Sequence, residues 1–410
     1  MRAFLFVLFS MTLLVACDNT VPVEKFNSDD KPYDIVDSLR SDTTGGFSRA
    51  YRQREFQFPR DHLSHPEFKH EWWSFVGNVS TRTGRKFGYQ LSIFRIGMLA
   101  DPTLRPTTNT LPKAKDININ SPSRWRANHY YMAHFALTDV VSEHFYSAQR
   151  FQRNALGLAG AIDKSVGRND TKGIKLWVED WVVESIQNDV FPLRLTAQND
   201  TVRVNLSLTQ GKGVVLNGDR GLSLRGDKPG NASYYYSMPQ MQTRGSIFID
   251  GEEFQVNGVS WLDREWSTTA LDSKIVGWDW FCIHLSSGQD LMLYMLRDEN
   301  GNFSNFSNGT FIEKNNQITH LNAADISIDV KEEWVSPHTH IRYPAAWIVQ
   351  LPIQNLELNI VPYLADQELN LAVNYWEGEI RISGRQLNGG GQLLDGQGYA
   401  ELTGYKPVSH

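Results

Sequence analysis

The chain has 410 residues, of which 41% are hydrophobic, 12% aromatic and 21% charged, and its formal net charge is −6. This composition is typical of a globular protein with ample material for a core, and the length predicts two to three domains of roughly 150 residues each. The acidic balance and the lack of a Lys/Arg-rich run argue against a nucleic-acid partner, which requires a basic face.

The start of the chain resembles the signal peptide of a bacterial lipoprotein. A positively charged beginning precedes an apolar stretch that is too short to span a bilayer, and LVAC at 14–17 forms a small-residue cleavage site. The resemblance implies that residues 1–16 are removed and that Cys17 is acylated, which would anchor the protein to the periplasmic face of a bacterial membrane. Asp18 favours the inner membrane. The alternative is an ordinary secretory signal with a chance cysteine.

Residues 17–54 are polar, contain Pro, Asp and Ser, and show no sustained period. They predict a flexible tether with one short ordered turn around Tyr33 to Leu39. Cys17 and Cys282 are the only two cysteines of the sequence. Acylation of Cys17 would leave no partner for an intramolecular disulfide, and Cys282, within an apolar run, is predicted to be a small core residue.

From Glu55 onward, short apolar-alternating runs are separated by Gly, Asn and Asp turns, as in FGYQLSIF at 87–94 and VRVNLSLT at 202–209. Such runs predict β-strands. Helical periodicity is scarce, and Ser147 to Ile162 is the best helix candidate. Many short strands with glycines at corners predict an all-β fold of two antiparallel barrels or strongly curved sandwiches. A barrel of eight strands is wide enough to hold one small ligand in its mouth, so we expect a binding cavity there.

Two parts of the chain repeat one design. HEWW at 70–73 leads through an aromatic strand, a Gly turn and a return strand to Arg95, and GWDWF at 277–281 leads in the same way to Arg297. Self-similarity at this long period indicates a duplicated domain and not a solenoid. We predict an N-terminal domain at 55–240 and a C-terminal domain at 241–410.

The stretch from Trp261 to Arg297 interleaves carboxylates with indole rings. A carboxylate against apolar rings is desolvated, which raises its pKa toward values where it can act as an acid near neutral pH. The candidate catalytic acids are therefore Asp263, Glu265, Asp279 and Glu71. The candidate ligand-binding residues are their neighbours His70, Trp72, Trp73, Arg264, Trp266, Trp278, Trp280 and Tyr294.

A structural role for the same groups is an equally concrete alternative. Barrels commonly close one end with a Trp whose N–H is satisfied by a carboxylate or carbonyl and whose ring is covered by an Arg. On that interpretation the acids and indoles are plugs that stabilise the fold.

Other motifs indicate no cofactor. His70-Glu71 is not part of an HExxH zinc motif, and no nucleotide-binding or serine-hydrolase motif is present. His338 and His340 could lie on one strand face as a metal pair, but without a third ligand nearby a surface position is favoured, and we predict no metal site. His129 and His134 either line the first barrel or simply pack.

Five motifs give the chain a resemblance to the AttH and carotenoid 1,2-hydratase family. They are HEWWSFVGNV at 70–79, WLDREWS at 261–267, GWDWF at 277–281, LMLYMLR at 291–297, and YWEG through GYAELTGY between 375 and 405. The resemblance implies two lipocalin-like domains and an apolar, lipid or isoprenoid-like ligand. The carotenoid hydratase branch carries His where this chain has Arg264, and Asp where it has Leu296.

Two functions follow from this resemblance. As a binding module, the protein would hold a lipid or isoprenoid ligand and pass it to a partner such as an ABC-type transporter. As an enzyme, it would hydrate or isomerise a C=C bond of such a ligand through a carboxylate general acid, as the family's hydro-lyases do.

Overall fold

A computed structural model describes residues 35–40, 44–101, 127–164, 173–388 and 391–407. The predicted signal peptide, the lipidation site Cys17, Asp18 and most of the tether lie outside the described residues. Within them, no helix is both long and apolar enough to cross a membrane. The short turn predicted in the tether corresponds to helix α1 (Ile35–Arg40), whose Val36 and Leu39 are buried.

The first sheet has thirteen antiparallel strands. They are β1 (His70–Thr81), β2 (Lys86–Gly97), β3 (His129–Asp139), β4 (His144–Arg153), β5 (Ala159–Asp163), β6 (Ile174–Val178), β7 (Trp181–Ser185), β8 (Leu193–Gln198), β9 (Val202–Thr209), β10 (Val215–Leu216), β11 (Leu222–Leu224), β12 (Ala232–Ile249) and β13 (Glu252–Ser267). Their order is β4-β3-β2-β1-β13-β12-β9-β8-β7-β6-β5, with β10 and β11 also paired to β12. This sheet curves into a nearly closed barrel.

The second sheet has ten strands and forms a half-barrel. They are β14 (Ile275–Leu285), β15 (Asp290–Asp298), β16 (Asn308–Ile312), β17 (Ile318–Asn322), β18 (Ser327–Val335), β19 (Arg342–Leu351), β20 (Leu356–Pro362), β21 (Glu368–Asn370), β22 (Asn374–Gln386) and β23 (Leu393–Thr403). Their order is β17-β16-β15-β14-β23-β22-β20-β19-β18, with β21 paired to β22. Short 3₁₀ turns occur at Arg60–His62 and Ala323–Asp325. The predicted all-β fold with two lipocalin-like sheets is confirmed.

The helix predicted at 147–162 is wrong. These residues form most of β4, a connection, and most of β5. Strand β4 pairs with β3 along its whole length, from Tyr130 opposite Arg153 to Asp139 opposite His144. Intrinsic helix preference is weak, and here the hydrogen bonds of a neighbouring strand outweigh it.

The chain passes between the sheets after β13. The domain boundary predicted at 240/241 falls inside β12, and both β12 and β13 pair within the first sheet. The first strand of the second sheet begins at Ile275. How the chain divides into folding domains remains a prediction.

Alternation along the strands separates two kinds of surface. In β1, Trp73 and Phe75 belong to the core of the first sheet, whereas Trp72 and Val76 belong to a cluster shared with the second sheet. Successive residues of a strand point to opposite faces, so β1 has one face on the core of the first sheet and one on the second sheet. We call the layer between the two sheets the seam.

Hydrogen bonds cross the seam at several points. Asn78 Nδ2 donates to Glu379 Oε1 at 2.9 Å, and Thr138 Oγ1 donates to Gln367 Oε1 at 2.7 Å. Trp280 Nε1 donates to the Tyr235 hydroxyl at 3.0 Å. The seam is therefore a specific polar and aromatic interface and not simply an apolar contact.

Candidate functional site

A cavity of about 40 Å³ lies in the seam, with walls from both sheets. Its lining is Trp72, Ser74, Ser92, Phe94, Met132, His134, Asp263, Glu265, Trp278, Trp280, Tyr294, Val373, Tyr375, Glu401 and Thr403. Aromatic rings and carboxyl groups dominate this wall. Space of this size accepts a few water molecules or one end of a ligand.

The cavity is not in a barrel mouth, where we expected it. The space inside the first sheet, beside Trp73 and Tyr236, is only about 10 Å³. Large buried side chains such as Trp181, Trp266 and Tyr89 fill that core. The barrel interior is thus packed with the protein's own rings, and the larger of these two spaces is at the seam.

Asp263 lines the cavity as a carboxyl group with three donors. Oδ1 accepts hydrogen bonds from Ser237 Oγ and, at 2.6 Å, from Trp261 Nε1, and Oδ2 accepts one from the Tyr235 hydroxyl. Burial raises the pKa of Asp263 to about 6, although the hydrogen bonds oppose that shift. At neutral pH this group is mostly ionised and has both oxygens occupied.

Glu401 differs from Asp263 because one of its oxygens is open. Oε1 accepts from Trp278 Nε1 at 3.0 Å and from Thr403 Oγ1 at 2.9 Å. Oε2 has no hydrogen-bond partner among the described residues, and the side chain is only part-buried, facing the cavity. Burial raises the pKa of Glu401 to about 7, with a further contribution from the nearby Asp263 charge. Near neutral pH, Glu401 therefore carries a proton much of the time.

Glu377 lies directly opposite Glu401 on the neighbouring strand β22. It is buried, and Oε2 accepts from Gln90 Nε2 across the seam, whereas Oε1 has no partner in the described part of the chain. Burial, with the adjacent Glu401 charge, raises the pKa of Glu377 well above its usual range. Two carboxyl groups side by side cannot both ionise at ordinary pH without a cation between them.

Arg225 is a buried cation at the edge of this acidic group. Its Nη2 donates to Glu265 Oε1 at 2.7 Å, and its guanidinium carbon is 3.5 Å from the centre of the Tyr294 ring. In the described chain, neither Glu401 nor Glu377 forms an ion pair with any Lys, Arg or His. The cavity wall thus has more carboxyl groups than positively charged side chains, which favours the protonated form of those carboxyl groups.

Glu71, a predicted catalytic acid, lies on the other side of β1, in the core of the first sheet. It forms buried ion pairs with Arg95 and Arg264, and the two oxygens also accept from the His65 backbone N–H. Burial alone would raise the pKa of Glu71, but the two guanidinium groups outweigh it and hold that pKa well below its usual range. Glu71 is therefore a permanent anion.

Arg264 and Trp266 lie beside Glu71 and not in the cavity. The guanidinium of Arg264 covers the Trp73 ring, with 4.0 Å from its carbon to the ring centre, and the His65 ring stacks on Trp266 at 3.8 Å. Their neighbours Asp263 and Glu265 face the seam because side chains alternate along β13. Trp73 matches the plug alternative, because its Nε1 also donates to the His62 carbonyl at 2.8 Å, whereas Trp266 Nε1 has no hydrogen-bond partner among the described residues.

Asp279 repeats the Glu71 arrangement in the second sheet. Its Oδ1 accepts from Arg297 Nε at 2.8 Å, and both of its oxygens accept from the Tyr405 hydroxyl at 3.1 Å. Burial raises the pKa of Asp279 despite the arginine. The repeated sequence design at 70–95 and 277–297 thus places an acid–arginine pair on the inner side of each sheet.

The remaining predicted site residues divide between these locations. Trp72, Trp278, Trp280 and Tyr294 line the cavity with Asp263 and Glu265. His70 is buried next to helix α1, 3.4 Å from Ser38 Oγ, and burial lowers its pKa to about 3.

Of the histidines considered beside the main motifs, His134 lines the cavity. His338 is exposed and lies 3.0 Å from Asp366. The described residues contain no group of three metal-binding side chains.

Glu377, Glu401, Tyr235 and Arg225 were not among the predicted site residues. One available signal was the stretch YAELTGY at 399–405, where a glutamate lies among the buried residues at the end of β23. Its donor Thr403 is on the same strand, but its donor Trp278 comes from a strand more than a hundred residues away, which no local pattern shows.

Known structures share this fold. An AttH structure from Nitrosomonas europaea has 27% identity and a TM-score of 0.72, covering 88% of this chain and 100% of its own. Kievitone hydratase from Nectria haematococca has 16% identity and a TM-score of 0.61, covering 88% and 98%. CghA has 10% identity and a TM-score of 0.51, covering 91% and 98%.

No curated protein sequence matches the chain. The family model described as AttH-like, however, matches residues 49–405, which include both sheets and every residue of the seam cavity. The chain belongs to the AttH-like family.

Proposed function

We propose that the protein binds the unsaturated end of an apolar small molecule in the seam cavity and protonates a C=C bond there, so that the ligand is hydrated or isomerised. One observation carries this proposal. Glu401 and Asp263 face the same aromatic-lined cavity, where donors occupy both oxygens of Asp263 but leave one oxygen of Glu401 open. The hydrogen bonds favour the ionised form of Asp263, whereas burial raises the pKa of Glu401 to about 7, so their surroundings suit the two carboxyl groups to different roles.

Glu401 is the proton donor. Its Oε1 is held by Trp278 and Thr403, and no described residue contacts its Oε2 through a hydrogen bond, so the carboxyl group is oriented with one oxygen available. Transfer of its proton to an alkene carbon forms a C–H bond and leaves a carbocation. A general acid is most effective when its pKa lies near the working pH, as this one does.

The cavity wall stabilises the carbocation. The rings of Trp278 and Trp280 present π-electron faces to a cation, and the Asp263 carboxylate adds negative charge. Because three donors occupy its oxygens, Asp263 acts through its charge and not as a base. In hydration, water adds to the cationic carbon and its released proton returns to Glu401. In isomerisation, Glu401 instead removes a proton from a neighbouring carbon.

Family and fold agree with this reaction class. One structure of similar fold is a hydratase. At 16% identity that similarity supports only the fold, so the acid itself is argued from Glu401 and its contacts.

Isotope incorporation tests the proposal. Ligand extracted from the purified protein is incubated with fresh protein in H₂¹⁸O and, separately, in D₂O, and its mass is measured. ¹⁸O at carbon identifies hydration, whereas deuterium at carbon without ¹⁸O identifies isomerisation. Glu401→Gln should abolish both, and Asp395→Asn, an exposed acid on the same strand, should change neither. Incorporation that persists in Glu401→Gln would refute the assignment of the acid.

A carrier without turnover is the second candidate. Arg264 stands where the carotenoid hydratase branch has His, and here it is committed to Glu71 in the core of the first sheet. A bound ligand that acquires neither isotope from the wild-type protein would favour this function, with transfer to a transporter component as the next step.

We also propose that the mature protein is anchored in a bacterial membrane through acylated Cys17 and faces the periplasm, with Asp18 favouring the inner membrane. The support is the sequence of the first 17 residues. Cys17→Ser should release the protein into the soluble fraction. Retention of that variant in membranes after a high-salt wash would contradict a lipid anchor.

A further inference from the structure

Two serines form a polar patch within the aromatic wall of the cavity. Ser74 on β1 and Ser92 on β2 are directly opposite in the strand register, and their hydroxyl oxygens are 2.8 Å apart. Both line the cavity beside Trp72 and Phe94. Their bond to each other fixes the pair in one place on the first sheet.

The serine pair has one hydrogen-bond donor that its own hydrogen bond does not use. Two hydroxyl groups carry two protons, and one of these makes the Ser74–Ser92 bond. Ser92 additionally lies 3.3 Å from Gln90 Nε2, which is itself a donor. Among the described residues, no carboxylate or carbonyl oxygen accepts the second proton. Whichever serine donates to the other, one O–H remains for a partner inside the cavity.

The opposite wall carries Glu401, the proton donor of the proposed reaction. Ser74 and Ser92 therefore line the same cavity as Glu401, from the other sheet. A single ligand that meets both groups must carry an oxygen acceptor as well as its double bond.

We propose that the ligand is an unsaturated alcohol or ketone whose oxygen accepts a hydrogen bond from the Ser74–Ser92 pair. This inference rests on the proposed function, because it takes the same cavity and the same double bond. It adds a requirement that a hydrocarbon polyene does not meet. A cavity water that accepts the same proton is the competing source of an oxygen.

Binding of a matched probe pair separates the two sources. Geraniol is an allylic alcohol, and 2,6-dimethylocta-2,6-diene is the same carbon skeleton without oxygen. Quenching of Trp278 and Trp280 fluorescence reports binding, since both rings line the cavity. One hydrogen bond should make geraniol bind about tenfold more tightly than the hydrocarbon.

The double variant Ser74→Ala/Ser92→Ala should lose that preference while keeping its affinity for the hydrocarbon. Ser80→Ala, on the same strand but away from the cavity, is the matched control and should keep the preference. If the double variant does not fold, Ser74→Cys/Ser92→Cys, kept reduced so that the facing thiols do not form a disulfide, replaces each hydroxyl by a weaker donor and should reduce the preference.

Each result has one meaning. Equal binding of the two probes by the wild-type protein would overturn the inference and indicate a water at the serine pair, leaving the proposed function in place. A preference for geraniol that survives in the double variant would overturn the assignment to these serines. Binding of neither probe would overturn the proposed function and this inference together.

Discussion

Replacing Glu401 by Gln should reduce the loss of folding stability that the wild-type protein undergoes as pH rises. The amide keeps an oxygen for the Trp278 and Thr403 donors, and it imitates the protonated carboxyl group. The pKa of Glu401 is raised from 4.5 to about 7 in the folded protein. The folded state therefore holds this proton more tightly than the unfolded chain, and the resulting stabilisation is lost as pH rises through about 7.

The size of the effect follows from the two pKa values. Each unit between them is worth about 1.4 kcal/mol. Integrated between about pH 5 and pH 8.5, the wild-type protein loses up to about 2.5 kcal/mol that the variant does not lose. This value is an upper estimate because Glu401 is only part-buried. At high pH the variant should thus be more stable than the wild type.

Urea unfolding at both pH values, followed by circular dichroism, measures this difference. Titrating groups away from the cavity, such as His70, affect both proteins equally and cancel when the two are compared. Glu377 does not cancel, because the adjacent Glu401 charge that raises its pKa is absent from the variant. Asp395→Asn on the same strand should show no pH-dependent difference from the wild type. If the wild-type and Glu401→Gln stabilities change in parallel with pH, to within about 0.5 kcal/mol, Glu401 titrates normally and the assigned acid loses its physical basis.

Three further outcomes follow from the packing. Glu71→Gln should cost about 3–5 kcal/mol by leaving two buried arginines without their anion, whereas Glu357→Gln, which breaks the surface pair with Arg385, should change the melting temperature little; equal melting temperatures would contradict the plug role. Gly77→Ala should cost about 1–3 kcal/mol because its Cβ would collide with the Tyr89 ring, which unfolding in urea would detect; an unchanged midpoint would mean that the ring moves aside. Cys282 is buried with a raised pKa, so it should react with a thiol reagent only after unfolding; rapid labelling of the native protein would show that its strand opens.

The repeated motif of the two halves predicted one part of the site's structure and not another. HEWW with Arg95 and GWDWF with Arg297 predicted a duplication, and each copy forms an acid–arginine pair on the inner side of its sheet. What the pattern did not show is that these pairs are separated from the cavity. Residues one apart on a strand face opposite sides, so Glu71 and Trp72 belong to different surfaces although they are adjacent in the motif.

Alternation also explains why the cavity itself was misplaced. Large aromatic residues on strand faces were expected to surround a ligand in a barrel. The side chains that point into the first barrel are instead large enough to fill nearly all of its interior. Only the summed volumes of side chains from many strands decide whether a barrel is hollow, and that sum depends on strand order and curvature.

The sequence by itself determined the strand-rich fold, the duplication, and the mixture of acids and indoles around Asp263. Each of these depends on local periodicity or on residue types within a few positions of one another. Only the tertiary structure decided that Glu401 meets Asp263 across the seam and that Ser74 and Ser92 lie on the wall opposite Glu401. The reason is that a period of two assigns a side chain to one face of its strand, whereas the groups it meets there come from a second sheet whose position is fixed by long-range packing.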